Sequence, residues 1–271
     1  MGAMMNSKNV DVFIVLGTRI ATSNPDLYNT LRVASKENNA KIVYAHPIED
    51  VAMKNIATQF MKYEPGSEEG VLALLAFYLL RDADLSEDER VFLNDLDLGY
   101  LEAESNIGEE EFIEMIQSFT NSKSKTLIIG DDVIAHNRAE NIAKLCSLIE
   151  RNSEFSLRVS SISETVGELE EIEELPEFNG CVIYHSNPLD NSDNSLRGSA
   201  QFARAAKISD GDFISISFDG QTINREFKVD NDLKGTIALN PTFDISVDTR
   251  RYKFERSEIN KINQNSESNN E

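Results

Sequence analysis

Residues Asp11 to Gly17 read DVFIVLG, a nearly continuous apolar run rich in β-branched side chains and closed by glycine. That pattern predicts a strand buried on both faces of a parallel sheet. A helix is expected next: Asn24 can cap it, Pro25 suits its first position, and Leu27, Leu31 and Ala34 recur at helical spacing before the break at Asn38-Asn39. Lys41 to Ala45 (KIVYA) predicts a second strand, ended by His46-Pro47 because proline lacks the donor a ladder needs. Asp50 to Met61 then reads as a helix with Val51, Ile56 and Phe60 turned inward, and Ser67 as the cap of a helix running through Leu80.

The alternation resumes at Lys125 to Gly130 (KTLIIG), followed by a helix from about Asn137 to Arg151, a strand near Phe155 to Val159, and the run Gly180 to His185 (GCVIYH). This order predicts an α/β domain over residues 10–190, with a mostly parallel sheet and helices on both faces. From Ala206 the period changes. Phe213, Ile214, Ile216 and Phe218 precede the hairpin signal Asp219-Gly220; Ile223, Phe227 and Val229 follow it, before Lys234-Gly235 and Thr236 to Leu239. A small all-β, barrel-like domain is expected over 191–250, then an Asn/Ser/Glu-rich disordered tail over 251–271. Residues 1–9 are polar and Met-rich and read as a disordered start or cloning scar, with no signal peptide.

Charge narrows the function classes. The 271 residues include 47 Asp and Glu against 26 Lys and Arg, a formal charge of −21 that repels phosphate backbones and anionic lipid surfaces. Nucleic acid is therefore not an expected partner. No apolar run approaches the roughly 20 residues that span a bilayer, so direct membrane insertion is not expected either. The negative charge is unevenly spread: residues 81–120 hold thirteen acidic and two basic side chains, interspersed with Phe92, Leu93, Leu96, Leu98, Tyr100 and Leu101. Glu164 to Glu177 adds seven carboxylates and no base. These stretches read either as solvated surface, the first an acidic, partly helical insertion, or as docking faces for a basic partner.

Candidate chemistry sits where the strands end. In an open parallel sheet the ligand crevice lies beyond the carboxyl ends of the strands, which makes Gly17, Thr18, His46, Asp131 and His185 crevice candidates, with Gly66 and Ser67 at the turn before the apolar helix. The first loop, GTRIATSN, has one glycine where a dinucleotide fingerprint needs three, and no phosphate-binding loop motif occurs. Each of His46, His136 and His185 reads as a loop residue or as a catalyst, and Asp131-Asp132 as helix-dipole partners or metal ligands. Cys146 and Cys181 match no cluster or zinc spacing and read as small core residues in a reducing, cytoplasmic compartment. The residues alone assign no catalytic group and no metal ligand.

Gly17-Thr18, Pro25, Ala34, Lys41-Ile42-Val43, Pro47 and Pro65-Gly66-Ser67-Glu68 ahead of an apolar helix together resemble, in order and spacing, the α/β portion of the molybdopterin oxidoreductase family. The segment Gly99 to Glu111 (GYLEAESNIGEEE), followed by Thr126 to Asp131, is similar more specifically to the C-terminal part of the large iron–sulfur subunits of bacterial NADH:quinone oxidoreductase (respiratory complex I). Ile208 to Asp212, Asp219-Gly220 and Lys234-Gly235-Thr236 are similar to the β-barrel that closes the family's fold, so the resemblance spans residues 10–245. Where cofactor-binding members carry Asp-Pro-Arg, this chain has His46-Pro47-Ile48, without the acid and arginine that suit guanosine and phosphate.

The resemblance implies a non-catalytic scaffold segment packed among the other subunits of the oxidoreductase, peripheral on the cytoplasmic face of the inner membrane. It implies no cofactor in this chain, with iron–sulfur clusters on a missing N-terminal portion or on partner subunits. Two alternatives stay open: a fragment that binds molybdopterin guanine dinucleotide, and a stand-alone nucleotide-binding module.

Overall fold

The computed structural model describes residues 10–119, 121–159, 168–187, 193–245 and 251–262. It divides into two units between Glu177 and Phe178. The first runs β1 (Val12–Leu16), α1 (Ile20–Ser23), α2 (Pro25–Asn38), β2 (Lys41–Ala45), β3 (Gln59–Met61), α3 (Glu68–Leu79), α4 (Glu87–Asn94), α5 (Leu98–Ser105), α6 (Glu109–Ser118), β4 (Lys125–Ile129), α7 (Asp131–Ile134), α8 (Ala139–Asn152) and β5 (Phe155–Val159). Its strands form a parallel sheet in the order β3-β2-β1-β4-β5.

Every residue of β1 is buried because the strand alternates between two cores. Val12, Ile14 and Leu16 pack with α3 and α8 on one face, and Phe13 and Val15 with Leu31 and Ala34 of α2 on the other. The sequence expectation of an α/β fold with helices on both faces holds. Asn24 caps α2 by accepting from Leu27 N at 3.1 Å, and Asn39 ends it in the left-handed conformation. α3 is buried nearly all round, while α4 to α6 bury only one side each through Leu93, Leu101, Phe112 and Met115.

Two local expectations are corrected. Residues 50–61 do not form a helix: Asp50 Oδ1 accepts from Ala52 N at 3.0 Å and opens a series of turns, and Gln59–Met61 joins the sheet beside Val43–Ala45. Val51 is accordingly exposed rather than turned inward. Ser67 precedes α3 without capping it, because its Oγ donates back to Glu64 O at 2.6 Å.

The second unit runs β6 (Val182–Ser186), β7 (Leu196–Gly198), α9 (Ala200–Ala206), β8 (Phe213–Phe218), β9 (Gln221–Val229), β10 (Ile237–Pro241), β11 (Phe254–Arg256) and β12 (Glu258–Lys261). These strands form a mixed sheet in the order β11-β6-β10-β7-β9-β8-β12, curled as a half-barrel. The β8–β9 hairpin turns at Asp219-Gly220 with both residues at positive φ, as a two-residue turn of this kind requires. The run 180–185, expected in the α/β domain, belongs here instead: β6 pairs in parallel with β10 and antiparallel with β11. The tail expectation is corrected in part, since Phe254–Arg256 and Glu258–Lys261 are paired strands. Residues 1–9 and 263–271, for which disorder was expected, lie outside the described residues.

Candidate functional site

The strand order places a topological switch point between β1 and β4, where a ligand crevice is expected in a fold of this kind. Gly17 turns the chain there at φ +68°, a conformation that favours glycine. Its N–H donates to Ala45 O at 3.1 Å and its carbonyl accepts from Asp132 N at 3.1 Å, while Gly130 N donates to Leu16 O at 2.8 Å. The two loops are therefore laced to each other through their backbones.

Both glycines are packed against neighbouring atoms. A Cβ on Gly17 would lie 2.1 Å from Val133 Cγ2, and one on Gly130 would lie 2.2 Å from Thr18 Cβ and 2.4 Å from Gly17 O. Val133 and Thr18 thus fill the space over the strand ends. Behind them, His46 Nε2 lies 3.1 Å from Asp132 Oδ2 with neither side chain exposed. The other ring nitrogen of His46 faces Ile48, 2.9 Å from its N–H and 3.0 Å from its carbonyl. Tyr44 stacks on His46 at 5.9 Å and donates its hydroxyl to Thr18 O at 3.0 Å. Burial first, and then the charge of Asp50, hold the Tyr44 hydroxyl well above its ordinary pKa of 10. Asp131 is exposed at the first position of α7, beside the buried Asp132. Buried as it is, the histidine–aspartate pair joins the two loops.

Gly66 and Ser67 belong to a second constellation. His136 accepts from Arg138 N at Nδ1 (3.1 Å), which leaves the proton on Nε2, 3.1 Å from Gly66 O. Burial, opposed by the bond to Gly66 and aided by the Arg138 charge, pushes the His136 pKa down. Next to it Glu69, 1% exposed, accepts from Arg138 Nε at 3.1 Å and from Asn141 Nδ2 at 2.7 Å. Burial raises its carboxyl against the pull of those two partners. Arg138 also reaches Glu170, Glu173 and the Glu171 carbonyl at 2.9 to 3.2 Å, and pins the extended residues 168–175 onto α3 and α8 together with Lys144 and Asn141.

His185 does not join these groups within the first sheet; it lies on β6 of the second unit. Asn240 Nδ2 donates to its Nδ1 at 3.2 Å, Glu255 Oε2 lies 3.3 Å from its Nε2, and burial, then the Arg225 charge, push its pKa down to about 4. Arg225, 5% exposed, bonds Asn240 Oδ1 at 3.2 Å and Asp244 Oδ1 at 2.8 Å. Sequence reading missed Arg225, Asn240 and Glu255. The signal available was the period-two face Ile223, Arg225, Phe227, which puts an arginine among inward-facing residues.

Cys146 is fully buried, with burial raising its thiol to about 12, and burial raises Cys181 as well. Cys146 belongs to the core of the first unit, whereas Cys181 is partly buried against the core of the second. Among the described residues no three His, Cys, Asp or Glu side chains gather in a metal-binding arrangement, and no helix is long and apolar enough to cross a membrane.

No family model and no curated protein matches the chain. Among solved structures, acetylene hydratase from Pelobacter acetylenicus matches at 12% identity with a TM-score of 0.43, over 53% of this chain and 21% of that one. The chain therefore spans about a fifth of the length of that protein.

Proposed function

We propose that this chain is a non-catalytic structural segment of the large peripheral-arm subunit of a bacterial NADH:quinone oxidoreductase, of molybdopterin oxidoreductase type. In this role it supports electron transfer carried by other domains and subunits. The observation that carries the reading is the closed strand-end crevice: Val133 packs over Gly17 and Thr18 against Gly130. A phosphate or pterin approaching the β1–β4 switch point would need the space these side chains take.

The same geometry tests the nucleotide cofactor carried by other members of the family that the chain resembles. His46-Pro47-Ile48 supplies neither an acid for a guanine nor an arginine for a phosphate, and His46 itself is engaged with Asp132. The residues do not fit that group. On this reading the chain sits on the cytoplasmic face of the membrane through its partner subunits.

The test is mass spectrometry of proteins that co-purify with the native chain after gentle solubilisation of its source membranes. NADH-oxidising and quinone-reducing subunits are expected in amounts comparable with the chain. Their absence would overturn the reading.

A further inference from the structure

We infer that the groove between α4, α5 and residues 171–172 is a docking site for a basic segment of a partner polypeptide that inserts an apolar side chain between flanking lysines or arginines. The inference rests on the assembly reading above for the setting in which that partner is met. The groove itself is built from the two most acidic stretches of the sequence. Residues 81–120 and 164–177 together hold twenty acidic and two basic side chains, a surplus of eighteen negative charges out of a formal −21 for the chain. Far apart in sequence, residues 92–101 of the first and 171–172 of the second line one cavity of about 450 Å³.

It is lined by Phe92, Leu96, Tyr100, Leu101 and Ile172 together with Asp95, Asp97 and Glu171. Among the described residues none of these three carboxylates is in an ion pair, although Arg138 and Lys144 neutralise Glu170 and Glu173 close by in sequence. Asp95 also occupies the C-cap of α4, where the helix dipole disfavours a negative charge. A cation that meets this carboxylate would offset the unfavourable dipole.

The far wall is held firmly. Leu175 N donates to Tyr100 Oη at 2.9 Å, Leu175 is buried against Gly70, and Arg138 grips residues 170, 171 and 173. A cavity lined by both apolar and acidic side chains matches the way a short amphipathic segment seats an anchor side chain and pairs its flanking charges. A second copy of this chain, itself at −21, and nucleic acid are both repelled by the same field.

The experiment compares the wild-type chain, the groove reversal Asp95→Lys/Glu171→Lys and the control reversal Asp84→Lys/Glu114→Lys. The control residues are exposed, line no part of the groove and change the net charge equally. Each is expressed at native level, checked for unaltered thermal unfolding, and assayed for recovered partner subunits. The groove reversal is expected to lose recovery by about tenfold while the control retains it. Equal retention or equal loss in the two variants would overturn the inference and leave the assembly reading standing.

If even the wild type recovers no partner, the assembly reading fails, and fluorescence anisotropy with a short amphipathic Lys/Leu peptide decides the groove. Binding about tenfold tighter to wild type than to the groove reversal, and unchanged in the control, would support it. Equal binding to all three chains, or none to any, would overturn it.

Discussion

His46 and Asp132, 86 residues apart in sequence, meet at 3.1 Å with no exposure of either side chain. One follows β2 and the other follows β4, so a single contact fastens loops from both sides of β1. Buried polar groups of this kind are costly to leave unpaired, and truncating one partner of such a pair removes about 1–3 kcal/mol. Asp132→Ala is expected to destabilise the first unit by that amount, whereas Asp132→Asn, which keeps an acceptor oxygen, costs less. Urea unfolding of both variants checks the order; equal midpoints for Asp132→Ala and wild type would show that the pair holds nothing.

Gly17 and Val133 give a second prediction. Gly17→Ala forces an alanine into φ +68° and places its Cβ 2.1 Å from Val133 Cγ2, so strain of about 1–2 kcal/mol and overpacking of about 1–3 kcal/mol add. Val133→Ala in the same chain relieves the clash but not the backbone strain. A double-mutant cycle by chemical denaturation should therefore return a coupling of about 1 kcal/mol or more. Additive single effects would mean that Val133 does not close the crevice.

The pH dependence of stability follows from His185. Its folded pKa is depressed from an ordinary 6.5 to about 4, so the folded state disfavours the proton that the unfolded chain accepts. Its neutral form contributes full stability above pH 6.5, and that contribution falls away as pH drops towards 4, on the order of 3 kcal/mol in all. Glu255 beside it acts in the opposite sense. Burial and the Asp219 charge raise its carboxyl, so it binds its proton more readily when folded and offsets part of the loss near the acid end. Unfolding measured in steps from pH 7.5 to 4.5 should show the fall, and His185→Gln should flatten it. A wild-type slope that His185→Gln leaves unchanged would assign the effect elsewhere.

Much of the first unit was legible because its signals are local. The run of buried residues in β1 and the Asn24 cap each report a backbone state that the neighbouring residues already determine, as the Asp219-Gly220 turn does in the second unit. Pairing partners were not legible in the same way. A buried apolar run such as Val182–Ser186 carries no mark of which sheet receives it, and only the register with Ile237–Pro241 places it in the second unit. Residues 50–61 failed for a related reason: helical spacing of Val51, Ile56 and Phe60 was outweighed by a side-chain turn at Asp50 and a vacant sheet edge beside β2. Of the site candidates, Gly17, Thr18 and His46 converge at one crevice because strand ends must. That the crevice is closed depends on Val133, which has no sequence signal of its own.

Arg138 is the residue whose loss should be read most directly in the chain's behaviour. Its guanidinium bonds Glu69, Glu170, Glu173 and the Glu171 carbonyl together, a planar fork that a lysine ammonium cannot reproduce. Removing it leaves Glu69 buried with Asn141 alone and frees residues 170–173 from one of their two cationic anchors, Lys144 remaining. Arg138→Met, which keeps the apolar stem, is expected to cost about 2–4 kcal/mol through the uncompensated carboxylate. It should also raise cleavage after Glu170, Glu171, Glu173 or Glu174 by a glutamate-specific protease, on the order of tenfold, since local opening controls access to those bonds. Arg138→Lys should recover little of either. Cleavage rates that do not move in Arg138→Met would show that Lys144, Tyr100 and the buried Leu175 suffice to hold the segment, and the groove wall would then owe its position to them.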